Sequence, residues 1–150
     1  MVLSEAIRTS INESVLCWLA TASDKGIPNV SPKEIFCYYG EEKILIANIA
    51  SPQSVKNIEQ NGQVCVSFID ILVQKGYQLK GKAKVLSEKD EGYSDMKQRL
   101  EKLTAGKFPF NAIIEITVSS SKPIIAPRYW LYPDTTEKDQ IASAKALYKL

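Results

Sequence analysis

The segment ILIANIASPQSVKNIEQNGQVCVSF (44–68) restricts the fold more than any other part of this chain. Its apolar runs and polar middle predict a strand, a short loop, a helix over 52–60 and a second strand. Asn61-Gly62 ends the helix and turns the chain. The junction Ala50-Ser51-Pro52-Gln53-Ser54 has the chemistry of an anion cradle. Ser51 is placed to cap the helix, and Pro52 suits the first turn, where no N–H partner is needed. Open N–H groups and the positive end of the helix dipole would then face outward, where a phosphate is the natural guest. Ser51, Gln53 and Ser54 add side-chain donors. The same residues also describe a capped surface helix with no ligand, the commoner use of such capping signals.

Short strand signals fill most of the remaining chain. A helix over 3–12 is followed by a strand over 15–23, an Asp24-Lys25-Gly26 turn and a return strand over 27–39. Pro28 and Pro32 interrupt that return strand, so it belongs at a sheet edge or at a place where the ladder opens. Strands follow over 43–49, 63–70, 75–86 and 112–118, with an amphipathic helix over 87–103. In the 75–86 strand, Lys80, Lys82 and Lys84 alternate with Leu79, Gly81, Ala83 and Val85, the pattern of a half-solvated antiparallel strand. SSSKPIIAPRYWLYP (119–133) reads as irregular, and a last helix starts at Thr135 or Thr136. About six strands joined mostly by short turns imply a mainly β, antiparallel Greek-key barrel with peripheral helices. At 150 residues the chain is expected to form a single domain, 1–150.

Composition excludes several chemistries. The chain has no histidine, which removes the usual general base and the commonest transition-metal ligand. Cys17, Cys37 and Cys65 lie far apart in apolar stretches, without metal-ligand spacing, and read as reduced core residues. A net charge of +2 gives no case for nucleic acid or an anionic membrane. No apolar run is long enough to span a bilayer. The N-terminal segment carries Glu5 and no apolar core, so a cytoplasmic location is expected rather than secretion. Redox or group-transfer chemistry on this chain would therefore fall to a bound organic cofactor.

GIPNVSPKEIF (26–36), the 44–68 unit, GYQLKGKAKVL (76–86) and the tail RYWLYPDTTEKDQIASAKALY (128–148) occur in an order that resembles the FMN-binding split barrels of the pyridoxamine 5'-phosphate oxidase-like family. The resemblance covers nearly the whole chain and rests on the ordered set rather than on one motif. It implies a six-stranded antiparallel Greek-key split β-barrel, a homodimer, and two FMN molecules at the subunit interface. By resemblance, Val30, Ser31, Pro32, Lys33 and Glu34 lie along the flavin ring. Asn48, Ile49 and Ala50 offer backbone contacts to the ring and ribityl chain. Ser51, Gln53 and Ser54 receive the phosphate, and Asn57 matches a recurrent position one turn on. Trp130 is a candidate for a contact from the partner subunit.

Two departures shape the functional expectation. True pyridoxamine phosphate oxidases resemble Ser-Arg-Lys where this chain has Ser51-Pro52-Gln53, so neutralising a phosphate falls to Lys33, Lys56 or backbone N–H groups. The tail is also short, and vitamin B6 oxidation is not assigned. The expectation is an FMN-dependent oxidoreductase with a small-molecule electron donor or acceptor. The alternative is a non-catalytic flavin-binding module serving as electron carrier, flavin store or stress sensor. A split barrel that takes haem or a deazaflavin, or that has lost its ligand, is a third reading, with haem disfavoured by the missing histidine.

Overall fold

The computed structural model describes residues 2–150. Its centre is one seven-stranded, fully antiparallel sheet: β1 (Cys17–Ala22), β2 (Pro28–Lys33), β3 (Phe36–Tyr39), β4 (Lys43–Ala47), β5 (Gln63–Asp70), β6 (Lys75–Leu86) and β7 (Ile113–Ile125). The spatial order is β2-β1-β5-β6-β7-β4-β3. Consecutive strands β2 and β3 therefore occupy the two opposite edges of the sheet. Only Glu34 and Ile35 connect them. A two-residue link reaches at most about 10 Å across its flanking residues, so the sheet has to curl until its edges meet. The result is a half-barrel with a seam at 34–35.

Seven strands replace the expected six because the single return strand over 27–39 divides at this seam. Its first half pairs with β1, from Pro28↔Ala22 to Lys33↔Cys17, and its second half pairs with β4. The prolines do not make the break. Pro28 and Pro32 sit within β2, which is an edge strand and leaves one side of its backbone unpaired.

The inner face of the half-barrel holds the larger core. Leu19, Val66, Phe68, Leu79, Ile114 and Ile116 are closed over by Leu3, Ile7 and Ile11 near α1 (Glu5–Glu13) and by Ile58 of α2 (Pro52–Gln60). A second core forms on the opposite face, where Leu45, Leu86 and Ile113 pack under Tyr93, Met96 and Leu100 of α3 (Tyr93–Thr104). That helix starts later than its apolar periodicity suggests, because Asp90 accepts the Ser87 N–H at 2.8 Å and holds 87–92 in turns. The chain ends with α4 (Arg128–Leu131) and α5 (Glu137–Tyr148), the latter opened by a Thr136/Asp139 capping box. No helix among the described residues is long and apolar enough to cross a membrane.

Cys17 and Cys37 are buried and Cys65 is half-buried, all as free thiols. Burial pushes the Cys17 thiol up to about 12, against the opposing pull of Lys33. It is thus protonated and inert near neutral pH, as its core position implies.

Candidate functional site at the barrel seam

Alternation along β2 divides the candidate residues between two faces. Ser31 and Lys33 lie opposite Leu19 and Cys17 and point inward; Val30 and Pro32 lie opposite Ala20 and Trp18 and point outward. The outward pair is exposed, Val30 by 57%, beside a Trp18 that is 48% exposed. Inward, Lys33 is only 6% exposed. Its ammonium donates to the Ser51 hydroxyl, and no carboxylate pairs with it among the described residues. Desolvation holds the Lys33 amine below its ordinary value. Buried ammonium groups are normally paired, because an isolated charge loses its hydration without return.

Helix α2 meets Lys33 at its N-terminus. Ser51 occupies the cap position but does not cap: its hydroxyl makes no bond to the first turn. It accepts from Lys33 and donates to the Ile49 carbonyl at 3.3 Å instead. The expected cap is replaced by this pair, and the first-turn N–H groups of a nine-residue helix stay uncapped. Ala50 precedes it in the left-handed region at φ 49, a conformation that costs a non-glycine residue of order 1 kcal/mol or more.

The other expected phosphate donors are drawn inward. Ser54 is almost wholly buried, with its hydroxyl 3.2 Å from that of Ser31. Asn57 donates to Thr21 at 3.0 Å and accepts from Gln53 at 2.9 Å. These contacts orient α2 on β1 and β2. Lys56, by contrast, is exposed and has no ion pair among the described residues.

A cavity of about 200 Å³ opens at the seam itself. Pro32, Lys33, Glu34 and Ile35 form one wall; Ala47 and Ile49 form the other. Asn48 lies between the last two and has a buried carboxamide oxygen without a donor. Phe108 completes the lining. No sequence motif marks Phe108, since it comes from the loop after α3 and reaches the seam only through the fold. Trp130 is not part of this cluster. It is 67% exposed and sits beside Gln78, Lys122 and Pro123 in a separate cleft. The structure thus brings together Ser31, Pro32, Lys33, Glu34, Ile49, Ser51 and Ser54, and leaves Val30, Lys56 and Trp130 outside.

The residues present suit an anionic, partly flat ligand such as FMN. A buried cation with no counter-charge and an uncapped helix start both favour an anion. An apolar slot lies next to them.

Comparison with known proteins matches the pyridoxamine 5'-phosphate oxidase family over residues 3–125. No curated protein matches the chain in sequence. Among solved structures, HupZ from Group A Streptococcus is similar with a TM-score of 0.70 at 23% identity, covering 82% of this chain and 94% of its own. An FMN-binding protein from Syntrophomonas wolfei subsp. wolfei gives 0.68 at 18% identity, covering 81% and 85%. HutZ from Vibrio cholerae, described as a haem storage protein, gives 0.58 at 22% identity, covering 83% and 95%. At these identities the likeness is one of fold.

Proposed function

This chain belongs to the pyridoxamine 5'-phosphate oxidase family, and on that premise we propose that it is a small FMN-binding flavoprotein, an oxidoreductase other than a pyridoxamine phosphate oxidase. The observation that carries the reading is Lys33: a buried ammonium without a carboxylate, bonded to Ser51 at an uncapped helix start. Such a charge is tolerated where a ligand anion neutralises it. Lys33 stands in for the Arg-Lys pair that the phosphate loop lacks.

In this reading Lys33, Ser51 and the first-turn N–H groups of α2 hold the phosphate. Ser31 and Ser54 brace that pocket from behind. Pro32, Glu34 and Ile49 line the slot for the ring, with backbone groups available along 48–50. Bound FMN would supply the hydride and single-electron chemistry that no side chain here offers. The chain's own work is to bind, orient and partly desolvate the cofactor while leaving a face open to a small-molecule donor or acceptor. The single domain works as a homodimer, in the cytoplasm.

The alternative within the same site is a carrier or store that does not turn over. A visible spectrum of the purified protein, with mass spectrometry of the ligand released on denaturation, tests the proposal. FMN released, or FMN bound more tightly than FAD on titration, is the expected result. Haem absorbance, or no binding of either flavin, sinks it. A relative is described as a haem storage protein, but this chain has no histidine to ligate the iron. Oxidation of NADH or NADPH by the loaded protein separates the enzyme from the carrier.

A further inference from the structure

Phe108 sits on a loop tied down at both ends. Thr104 closes α3, its hydroxyl accepting the Gly106 N–H at 3.1 Å and its carbonyl the Lys107 N–H at 3.0 Å. Ala105 and Gly106 both take left-handed backbone, at φ 49 and 73, and reverse the chain. On the far side, Phe110 is buried in the core under α3. Phe108 is suspended between these anchors. It belongs to neither core, and half of it is exposed (50%), yet it lines the seam cavity together with Pro32 and Ile49. A phenyl ring held in water at the mouth of an apolar slot is placed to cover something planar.

We propose that Phe108 is a ligand-binding residue of this site: it contacts the aromatic end of the ligand whose anionic end is held at Lys33 and Ser51. This rests on the flavin reading above and divides the site into two separable halves. The phosphate half is electrostatic and specific for FMN over riboflavin. The ring half is apolar and indifferent to the phosphate.

Titration of the full chain with FMN and with riboflavin tests the division. Phe108→Ala should weaken both flavins by a similar factor, on the order of tenfold. Phe108→Trp should restore both. Because Phe108 is half exposed, the melting temperature of the apoprotein should hold in either variant, and Phe108→Leu provides a milder truncation if the alanine variant does not fold. Lys33→Ala should weaken FMN while sparing riboflavin. Wild-type affinity for both flavins in Phe108→Ala, or a loss confined to FMN, overturns the assignment and leaves the cofactor reading intact. A wild-type protein that binds neither flavin overturns both.

Discussion

Burying the ammonium of Lys33 without a carboxylate works against folding, so its removal should separate stability from binding. Lys33→Met keeps the length of the side chain and discards the charge. The apoprotein should gain about 0.5–2 kcal/mol, read as a higher melting temperature. FMN affinity should fall, since a hydrogen bond to a charged group is worth about 1.5–3 kcal/mol. Loss of stability in this variant would mean that the Ser51 contact outweighs desolvation. The pH dependence has a definite sign. Burial lowers the folded-state value below the ordinary lysine value of about 10.5, so between the two the unfolded chain binds the extra proton. Apoprotein stability contributed by this group therefore rises with pH across that window, and the advantage of Lys33→Met shrinks there. FMN binding runs the other way and should weaken as the pH climbs through the folded-state value of Lys33. Alkaline titrations of apoprotein stability and of flavin affinity in wild type and Lys33→Met check the two trends; a wild-type affinity curve parallel to that of the mutant would remove Lys33 from the phosphate half.

At the level of elements, helix α2 and strand β6 make contrasting demands. Ser51 makes no capping bond, so Ser51→Ala should cost the helix well under the roughly 1 kcal/mol of a true N-cap. The double change Ser51→Ala with Ser54→Ala should lower FMN affinity in a folded protein, and unchanged affinity would falsify the phosphate assignment. In β6, Gly76 and Gly81 are fixed by close approach. A Cβ at Gly76 would lie 2.0 Å from the Phe68 carbonyl oxygen, and one at Gly81 would lie 2.1 Å from that of Thr117. Alanine at either position should destabilise the sheet by about 1–3 kcal/mol by chemical denaturation. The bounds of α2, β5 and β6 were all legible in the sequence, because local periodicity and the Asn61-Gly62 turn determine them. The C-terminal half of β7 was not. Its SSSKPII run lacks a strand pattern, and it is held extended by pairing with β6 from Lys80↔Ser120 to Lys75↔Ile125. Pro123 is tolerated there because β4 pairs only with 113–117, which leaves one side of the strand open. The split of the return strand was hidden for a related reason: it depends on where the sheet closes, not on its prolines. Lys33 and Ser51 could be named from residue type and loop position. Phe108 could not, because its nearness to the seam exists only after α3 and β7 have packed.

For the whole molecule, the proposed homodimer makes the seam one half of each binding site. Its cavity of about 200 Å³ falls short of the roughly 300–1,000 Å³ of small-molecule sites. Beside it, the outer face of β1 and β2 leaves Trp18, Val30, Pro28 and Pro32 in water. On the C-terminal segment Trp130 and Tyr132 are also exposed, whereas Tyr129 is held by a 2.7 Å bond from its hydroxyl to the Val73 carbonyl. Aromatic and apolar surface of this kind is what interface cores use. A two-fold pairing would bury these patches twice over and build two equivalent sites, each enlarged by the neighbouring chain. Light scattering at low micromolar concentration should return a dimer mass with or without FMN. Trp18→Lys, which places a charge in the centre of the exposed patch, should yield monomers and lose flavin affinity in step. Trp130→Ala should keep the dimer mass and lower flavin affinity if the tail of one chain reaches the site of the other. A Trp18→Lys monomer with full FMN affinity would show that one chain suffices, and the shared site would have to be abandoned.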